Sequence, residues 1–568
     1  MQNHIYVILC CLLCQLSVIS LAAQDYYWVA FSDKNYSPYS FADAGEFLSD
    51  AALLRRERQG IAIDSTDLPV NPQYIEAVVN CGCRYVHQSK WLNGITVIGD
   101  SAALSCVRAL AFVSFVERTS GRVASGRVAR SEQRMRKFED CEDIIGIGHH
   151  HRHPSGDGLR TLSSDDRNRG LLRTLSSENR DRGLLRTLSS DGEQWSDGQN
   201  NLIGAQWLLD RGFRGRGMRI AILDTGFPYC DTEPSISSKI REGYNIAYPG
   251  VSVYDTNLHH HGALCLSIMA AEIDTTYTGT APDADYYLFV TEIEESESLL
   301  EIDHWVRAVE MADSIGVDIV SSSLGYSDMD DVSSSYRYED MDGKTVRCSR
   351  AAAIAAQRGM VVCVSAGNDG NKAWHYITAP ADADGILTVG GVTIEGEHSV
   401  FSSFGPTSDG RIKPDVCAQG TGVLSYMDGY INRGNGTSFA CPQIAGAAAS
   451  LWATLPDLSG NELVRLVIES ASEYTNPNDS LGYGIADFRK AYYMSHSRHI
   501  GSDYIVYRDG NIIVENTVGT AFDMRLYDMS GRLVISSSGL SRHEISCDRL
   551  PRGVYIMVSG EWRVVIAW

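Results

Sequence analysis

Five apolar runs separated by helical stretches constrain this chain more than anything else in it. "MRIAIL", "ADYYLFV", "VDIVSSSL", "MVVCVSAG" and "ILTVGGV" all fall between residues 218 and 392. They are continuous rather than alternating, so both faces of each strand need apolar cover, as in a parallel sheet held between two helix layers. The intervening segments, such as residues 302–314, carry helical apolar spacing. The expected fold class is α/β, a three-layer doubly wound and mostly parallel sheet over residues 198–498. Functional groups in such a sheet sit at the carboxyl ends of its strands.

The first run ends "RIAILDTGF", on Asp224-Thr225-Gly226. Two chemistries use a strand-end aspartate of this kind. Aspartic proteases pair two such carboxylates over one proton. A serine hydrolase instead uses one buried aspartate to orient a histidine. The chain has no second Asp-Thr-Gly or Asp-Ser-Gly, which disfavours the first. The second needs a histidine and a serine in suitable settings, and both are present. In "HHHGALCLSIMAA", Gly262 selects His261 over His259 and His260, and Ser438 lies in "GNGTSFACPQIAGAAASLWA". The order Asp, His, Ser is that of subtilisin. A G-x-S-x-G elbow would need glycine where Ala440 stands, which disfavours an α/β-hydrolase.

With these segments in view, the domain resembles a subtilase, a subtilisin-family serine protease. The resemblance rests on "AILDTGF", "HHGALCLSIMA", "SSSLGYS", "VSAGNDG", "FSSFGP", "RIKPDVCAQG" and "GTSFACPQIAG", in family order through nearly the whole domain. It implies Ser438 as nucleophile, His261 as general base and then acid, Asp224 as the group that orients the imidazole, and Asn368 as side-chain donor to the oxyanion. It further implies that Ser323, Leu324, Gly325, Ser365, Ala366 and Gly367 line the cleft, where a polypeptide substrate adds as an extended strand. No cofactor or catalytic metal is required, and structural calcium is not legible in the sequence. Ala263 and Gln443 depart from the family pattern, which has Thr and His there, and neither carries the mechanism. Two other readings stand beside this one: a catalytically inactive subtilase fold used for binding or adhesion, and a non-peptidase acyl hydrolase.

The flanks are of different character. Residues 1–23 read as a signal peptide, and no later run is long enough to span a bilayer, so a secreted or cell-surface protein is expected. A net charge of -22 argues against nucleic acid as partner. Residues 25–117 read as an α+β unit close to a split βαβ sandwich. Subtilases commonly carry such a unit as a propeptide that acts as an intramolecular inhibitor. Within it, Cys81-Gly82-Cys83 resembles half a metal site lacking its other half. Of 14 cysteines three lie in the signal segment, and the remaining eleven form no readable disulfide framework. Residues 118–197 read as a flexible linker, with Arg160, Arg173 and Arg186 marking a repeat of period 13. The His-rich stretch at 148–154 reads as a solvated loop. Residues 500–568 read as a small β-sandwich and resemble the C-terminal sorting domain of type IX secretion cargo in Bacteroidetes-type bacteria, around Gly531 and Gly553-Val554-Tyr555. That resemblance implies the secretion machinery as a partner.

Overall fold

A computed structural model describes residues 25–120, 147–148, 196–496 and most of 504–567. The expected signal peptide and nearly all of the expected linker, with its repeats and most of its His-rich stretch, lie outside the described residues.

The N-terminal unit contains strands β1 (Tyr26–Phe31), β2 (Arg84–Ser89), β3 (Gly94–Ile98) and β4 (Val113–Arg118), with helices α1 (Asp50–Arg58), α2 (Pro72–Asn80) and α3 (Ser101–Arg108). The sheet runs β2-β3-β1-β4 and is antiparallel throughout. Local chemistry sets the helix starts: the Asn71 side chain accepts from Gln73 N with Pro72 behind it, and Asp100 accepts from Ala102 N and Ala103 N. Cys81 is joined to Cys106 in a disulfide, so it is not free to ligate a metal, and Cys83 is buried in the apolar core.

The central domain is a seven-stranded sheet. Its strands are β6 (Arg219–Asp224), β7 (Ile240–Asn245), β8 (Asp285–Val290), β9 (Ile319–Ser322), β10 (Val361–Ser365), β11 (Leu387–Val392) and β12 (Val416–Gln419). They lie in the order β12-β11-β10-β9-β6-β8-β7, and every pair is parallel. All five runs singled out in the sequence are strands here. Alternate residues of β6 explain why they are apolar throughout. Ile220 and Ile222 enter one core, and Ala221 and Leu223 enter the core on the opposite face. On the first face pack α4 (His261–Ala270) and α7 (Thr437–Trp452); on the second lie α5 (Leu299–Ile315) and α6 (Arg347–Gln357). A hairpin of β13 (Val423–Met427) and β14 (Tyr430–Gly434) precedes α7. The two-residue strand β5 (Ile147–Gly148) adds to β14, so the stretch read as linker is not wholly without structure.

Two further sheets follow residue 503, one of three strands and one of four. Ile512, Val514 and Ile545 from the first share a core with Met524, Leu526 and Met557 from the second, as expected of a β-sandwich. No helix among the described residues is long and apolar enough to cross a membrane.

The N-terminal unit is docked on α5 through buried charge. Asp313, fully buried, meets Arg55 at 2.5 Å, Arg56 at 2.8 Å and Lys90 at 2.9 Å. Burial alone would raise its carboxyl; Lys90, Arg55 and Arg56 outweigh that and hold it well below the usual range. Arg347 on α6 meets Asp303 at 2.8 Å and also pairs with Glu117. Buried pairs of this kind add little net stability, because desolvation offsets attraction, but breaking one leaves an uncompensated charge. They therefore fix where the unit docks more than how tightly it does so.

Candidate active site

The register of the sheet assembles the site. Ser322 on β9 lies opposite Leu223 on β6, and Val364 on β10 lies opposite Ser322. The next residues along the three strands are Asp224, Ser323 and Ser365, so groups far apart in sequence converge at one carboxyl edge.

Asp224 is fully buried. Its Oδ1 accepts from Thr225 N at 2.8 Å and meets His261 Nδ1 at 2.8 Å. A carboxylate can only accept here, so Nδ1 carries the proton and Nε2 is left as the basic nitrogen. Burial would push the His261 imidazole down, but the adjacent Asp224 carboxylate outweighs it and holds the ring well above its ordinary value. Two glycines permit this contact. A methyl group on Gly262 would come within 2.6 Å of the Gly226 carbonyl and 2.9 Å of Asp224 Cβ. One on Gly226 would come within 2.6 Å of Leu258 Cβ. The glycines of Asp-Thr-Gly and His-Gly thus let α4 start against the end of β6. His259 serves that helix start too, since His261 N donates to its Nδ1 at 3.2 Å.

Ser438 is the second residue of α7, close to the positive end of the helix dipole. Four residues on stands Pro442, which has no N–H to give to the Ser438 carbonyl. That carbonyl accepts instead from Ser323 Oγ at 2.8 Å and from Cys265 Sγ at 3.4 Å. Cys265 also lies 4.0 Å from His261 Nε2, so one sulfur touches both the ring and the backbone of Ser438. Asp224, His261 and Cys265 each place one metal-ligating atom within 4.8 Å of the others. Burial raises the Cys265 thiol, however, which keeps it protonated and suits it to donate rather than to ligate. The Ser438 hydroxyl donates to the Ser323 carbonyl at 3.5 Å, a long bond that a turn about its Cα–Cβ bond releases.

Asn368 Oδ1 accepts from Thr437 N at 2.9 Å and from Thr437 Oγ1 at 3.0 Å. Because a backbone N–H can only donate, this fixes which end of the amide is oxygen and turns the NH2 group away from α7's first residue. Thr437 Oγ1 in turn accepts from Gly367 N at 3.2 Å. Thr437 was not singled out from the sequence; its place just before Ser438 was the available signal. Ser323, Leu324, Ser365 and Ala366 are all buried. Between their segments stands Thr378, also missed, whose Oγ1 would lie 2.1 Å from a methyl group on Gly325 and 3.2 Å from one on Gly367. At the two departures from the family pattern, Ala263 is packed in the core, and Gln443 donates to the carbonyls of Gln419 at 2.7 Å and Phe439 at 2.8 Å.

Residues 215–484 match the subtilase family, and residues 26–136 match the peptidase S8 propeptide domain of Bacteroidota. Residues 215–484 are a subtilase-family domain, with the propeptide domain ahead of it. This subtilase is 28% identical over 286 residues to subtilisin DY of Bacillus licheniformis, covering 50% of its own chain and 93% of that relative. It is 28% identical over 312 residues to the serine protease AprX of Bacillus subtilis, covering 48% and 64% of the two chains. In fold it is similar to fervidolysin from Fervidobacterium pennivorans, a keratinolytic enzyme related to subtilisin, with a TM-score of 0.52 at 16% identity over 94% of this chain and 70% of that one. The subtilase is a serine endopeptidase with its propeptide domain in the same chain.

The Thr437 hydroxyl offers a direct check on the Asn368 geometry. Thr437→Val keeps the backbone donor and removes the hydroxyl's two neutral hydrogen bonds, to Asn368 and from Gly367 N; at about 1 kcal/mol for the bond to Asn368 alone, kcat should fall at least about fivefold. An unchanged kcat would mean that Asn368 is held without that hydroxyl.

Proposed function

We propose that this subtilase is an exported zymogen that cleaves polypeptides through Asp224, His261 and Ser438. The 2.8 Å contact between His261 Nδ1 and Asp224 Oδ1, beside the backbone of Ser438, carries the reading. His261 Nε2 takes the Ser438 hydroxyl proton as the oxygen attacks the scissile carbonyl carbon. The carbonyl π electrons move to oxygen, and the oxyanion accepts from the Asn368 amide and the Ser438 N–H. The imidazolium, stabilised by Asp224, then protonates the leaving amine as the C–N bond breaks. Water, deprotonated by the same imidazole, hydrolyses the acyl-enzyme. Losing a side-chain oxyanion donor lowers kcat by about 100- to 1,000-fold, a cost measured in subtilisin itself. Every group named belongs to the chain, and no cofactor takes part.

The segments at Ser323, Leu324, Gly325 and at Ser365, Ala366, Gly367 form the two walls between which the substrate strand lies. The propeptide domain inhibits in cis, and the Arg-rich stretch after it is where processing separates the two. We further propose a signal peptide at residues 1–23 and a sorting role for residues 500–568 that hands the protein to a type IX secretion machinery.

Three outcomes test this. A fluorophosphonate probe should label the wild type and not Ser438→Ala, and only the wild type should show a processed N-terminus; identical labelling or identical cutting of the two would refute the assignment. His261 must be neutral to accept a proton, and its ordinary value of 6.5 is raised here, so kcat/KM should climb with pH along an acid limb centred above 6.5. A limb centred below that value contradicts the Asp224 pairing. Deleting residues 500–568 in the native host should leave the protein inside the outer membrane, whereas normal export of the truncated chain would remove the sorting role.

A further inference from the structure

The propeptide domain meets α5 along one stripe, where the charged side chains sit in matched pairs. Lys90 N donates to Glu310 Oε2 at 2.8 Å, Ser89 donates to the same carboxylate, and Thr96 Oγ1 donates to Asp303 Oδ2 at 3.0 Å. His87 on β2 is the exception. Its ring lies against that of His304 on α5, with centroids 5.5 Å apart, and both residues are more than nine-tenths buried. His87 Nε2 is buried with no hydrogen-bond partner. His304 Nδ1 donates to the Thr291 carbonyl at 3.1 Å, which fixes its neutral tautomer with the lone pair on Nε2. The nearest fixed charge acting on His87 is the Arg307 guanidinium, one turn along α5. The carboxylates of the stripe are already engaged, Asp303 by Arg347 and Thr96, Glu310 by Ser89 and Lys90, and Glu117 by Arg347. A proton added to either ring therefore gains no carboxylate of its own and faces a second imidazole and a cation.

We propose that His87 and His304 form a pH-sensitive latch between propeptide domain and protease, which packs when both rings are neutral and opens on mild acidification. The inference rests on the reading of this domain as an inhibitory propeptide.

The sign follows from linkage. Burial, then His304 and Arg307, push the docked His87 well below its ordinary value of 6.5. Burial pushes His304 down to about 4, against the opposing bond to Thr291. Once the domains part, the faces on which the two rings met open to water, and both rings titrate nearer about 6.5. The separated state binds more protons, so docking is strongest above that value and weakens as pH falls through it. Two groups oppose the effect at lower pH: burial raises Asp303 to about 6 and also raises Glu310, so each takes up a proton more readily when docked. Asp313 is held too low to titrate in this range. The latch thus works between about pH 7.5 and 6, where two free imidazoles outweigh the two opposing carboxyls and change the affinity about fivefold.

The test uses the full Ser438→Ala chain, nicked by trypsin in the Arg-rich stretch at pH 7.5 so that the two parts remain associated without a covalent link. Dissociation constants of the nicked complex are then measured by dilution at pH 7.5 and 6.0. The latch predicts a constant about fivefold larger at pH 6.0, and a ratio of about one or less in His87→Phe with His304→Phe. His87→Gln serves the same purpose should the aromatic variants not dock. Lys90→Ala should weaken docking at both pH values and leave the ratio intact. A wild-type ratio near one, or a wild-type ratio that survives loss of both histidines, overturns the latch. If instead the released fragment fails to inhibit the wild-type protease at pH 7.5, the propeptide reading fails, whatever the ratio.

Discussion

The approach of one helix start to one strand end governs the site. α4 must begin close enough to the end of β6 for His261 to reach Asp224 at 2.8 Å, and a single methyl group on Gly226 or Gly262 would close that space. Once the approach is made, the rest follows from packing. α4 and α7 share one core, which brings the Ser438 backbone to the sulfur of Cys265 beneath the His261 ring. The lack of an N–H at Pro442 leaves the Ser438 carbonyl for Ser323, and through that bond the end of β9 is tied to the start of α7. Ser438 is held by its backbone while its hydroxyl stays weakly bound, an arrangement suited to the nucleophile it is proposed to be.

α5 belongs to both functions of the chain. One side carries Asp303, Glu310 and Asp313, the acids that receive the propeptide domain. His304 on the same helix bonds the carbonyl of Thr291, whose own N–H donates to the Asp224 carbonyl at 3.1 Å. The docking surface and the strand end that bears Asp224 are therefore two hydrogen bonds apart. On the proposed reading, inhibition and catalysis share a scaffold.

Much of this was legible in the sequence because it depends on periodicity and on residues with few substitutes. Short continuous apolar runs bounded by turns fit strands covered on both sides, and β6 shows why, with alternate residues feeding opposite cores. Asp224, Gly226, His261 and Gly262 stand out because each meets a steric or charge requirement that other residues fail. What stayed hidden depends on three-dimensional neighbours. Thr437 and Thr378 have no local signature, since one is defined by the amide it fixes and the other by two glycines it separates. The docking charges were invisible for the same reason: nothing local marks Arg55, Arg56 and Lys90 as buried until Asp313 is placed among them. The Cys81–Cys106 pairing needed α2 and α3 to be set side by side.

The central claim is that Asp224, His261, Ser438 and Asn368 act on one carbonyl. A crystal structure of the protease with a peptide boronic acid tests it most directly, because the tetrahedral boron adduct mimics the attacked carbon. The account predicts boron bonded to Ser438 Oγ, one boron oxygen about 3 Å from both Asn368 Nδ2 and Ser438 N, and His261 Nε2 turned to the adduct with its Asp224 bond kept. Boron bonded elsewhere, or an adduct on Ser438 whose oxygen points away from Asn368, would contradict it.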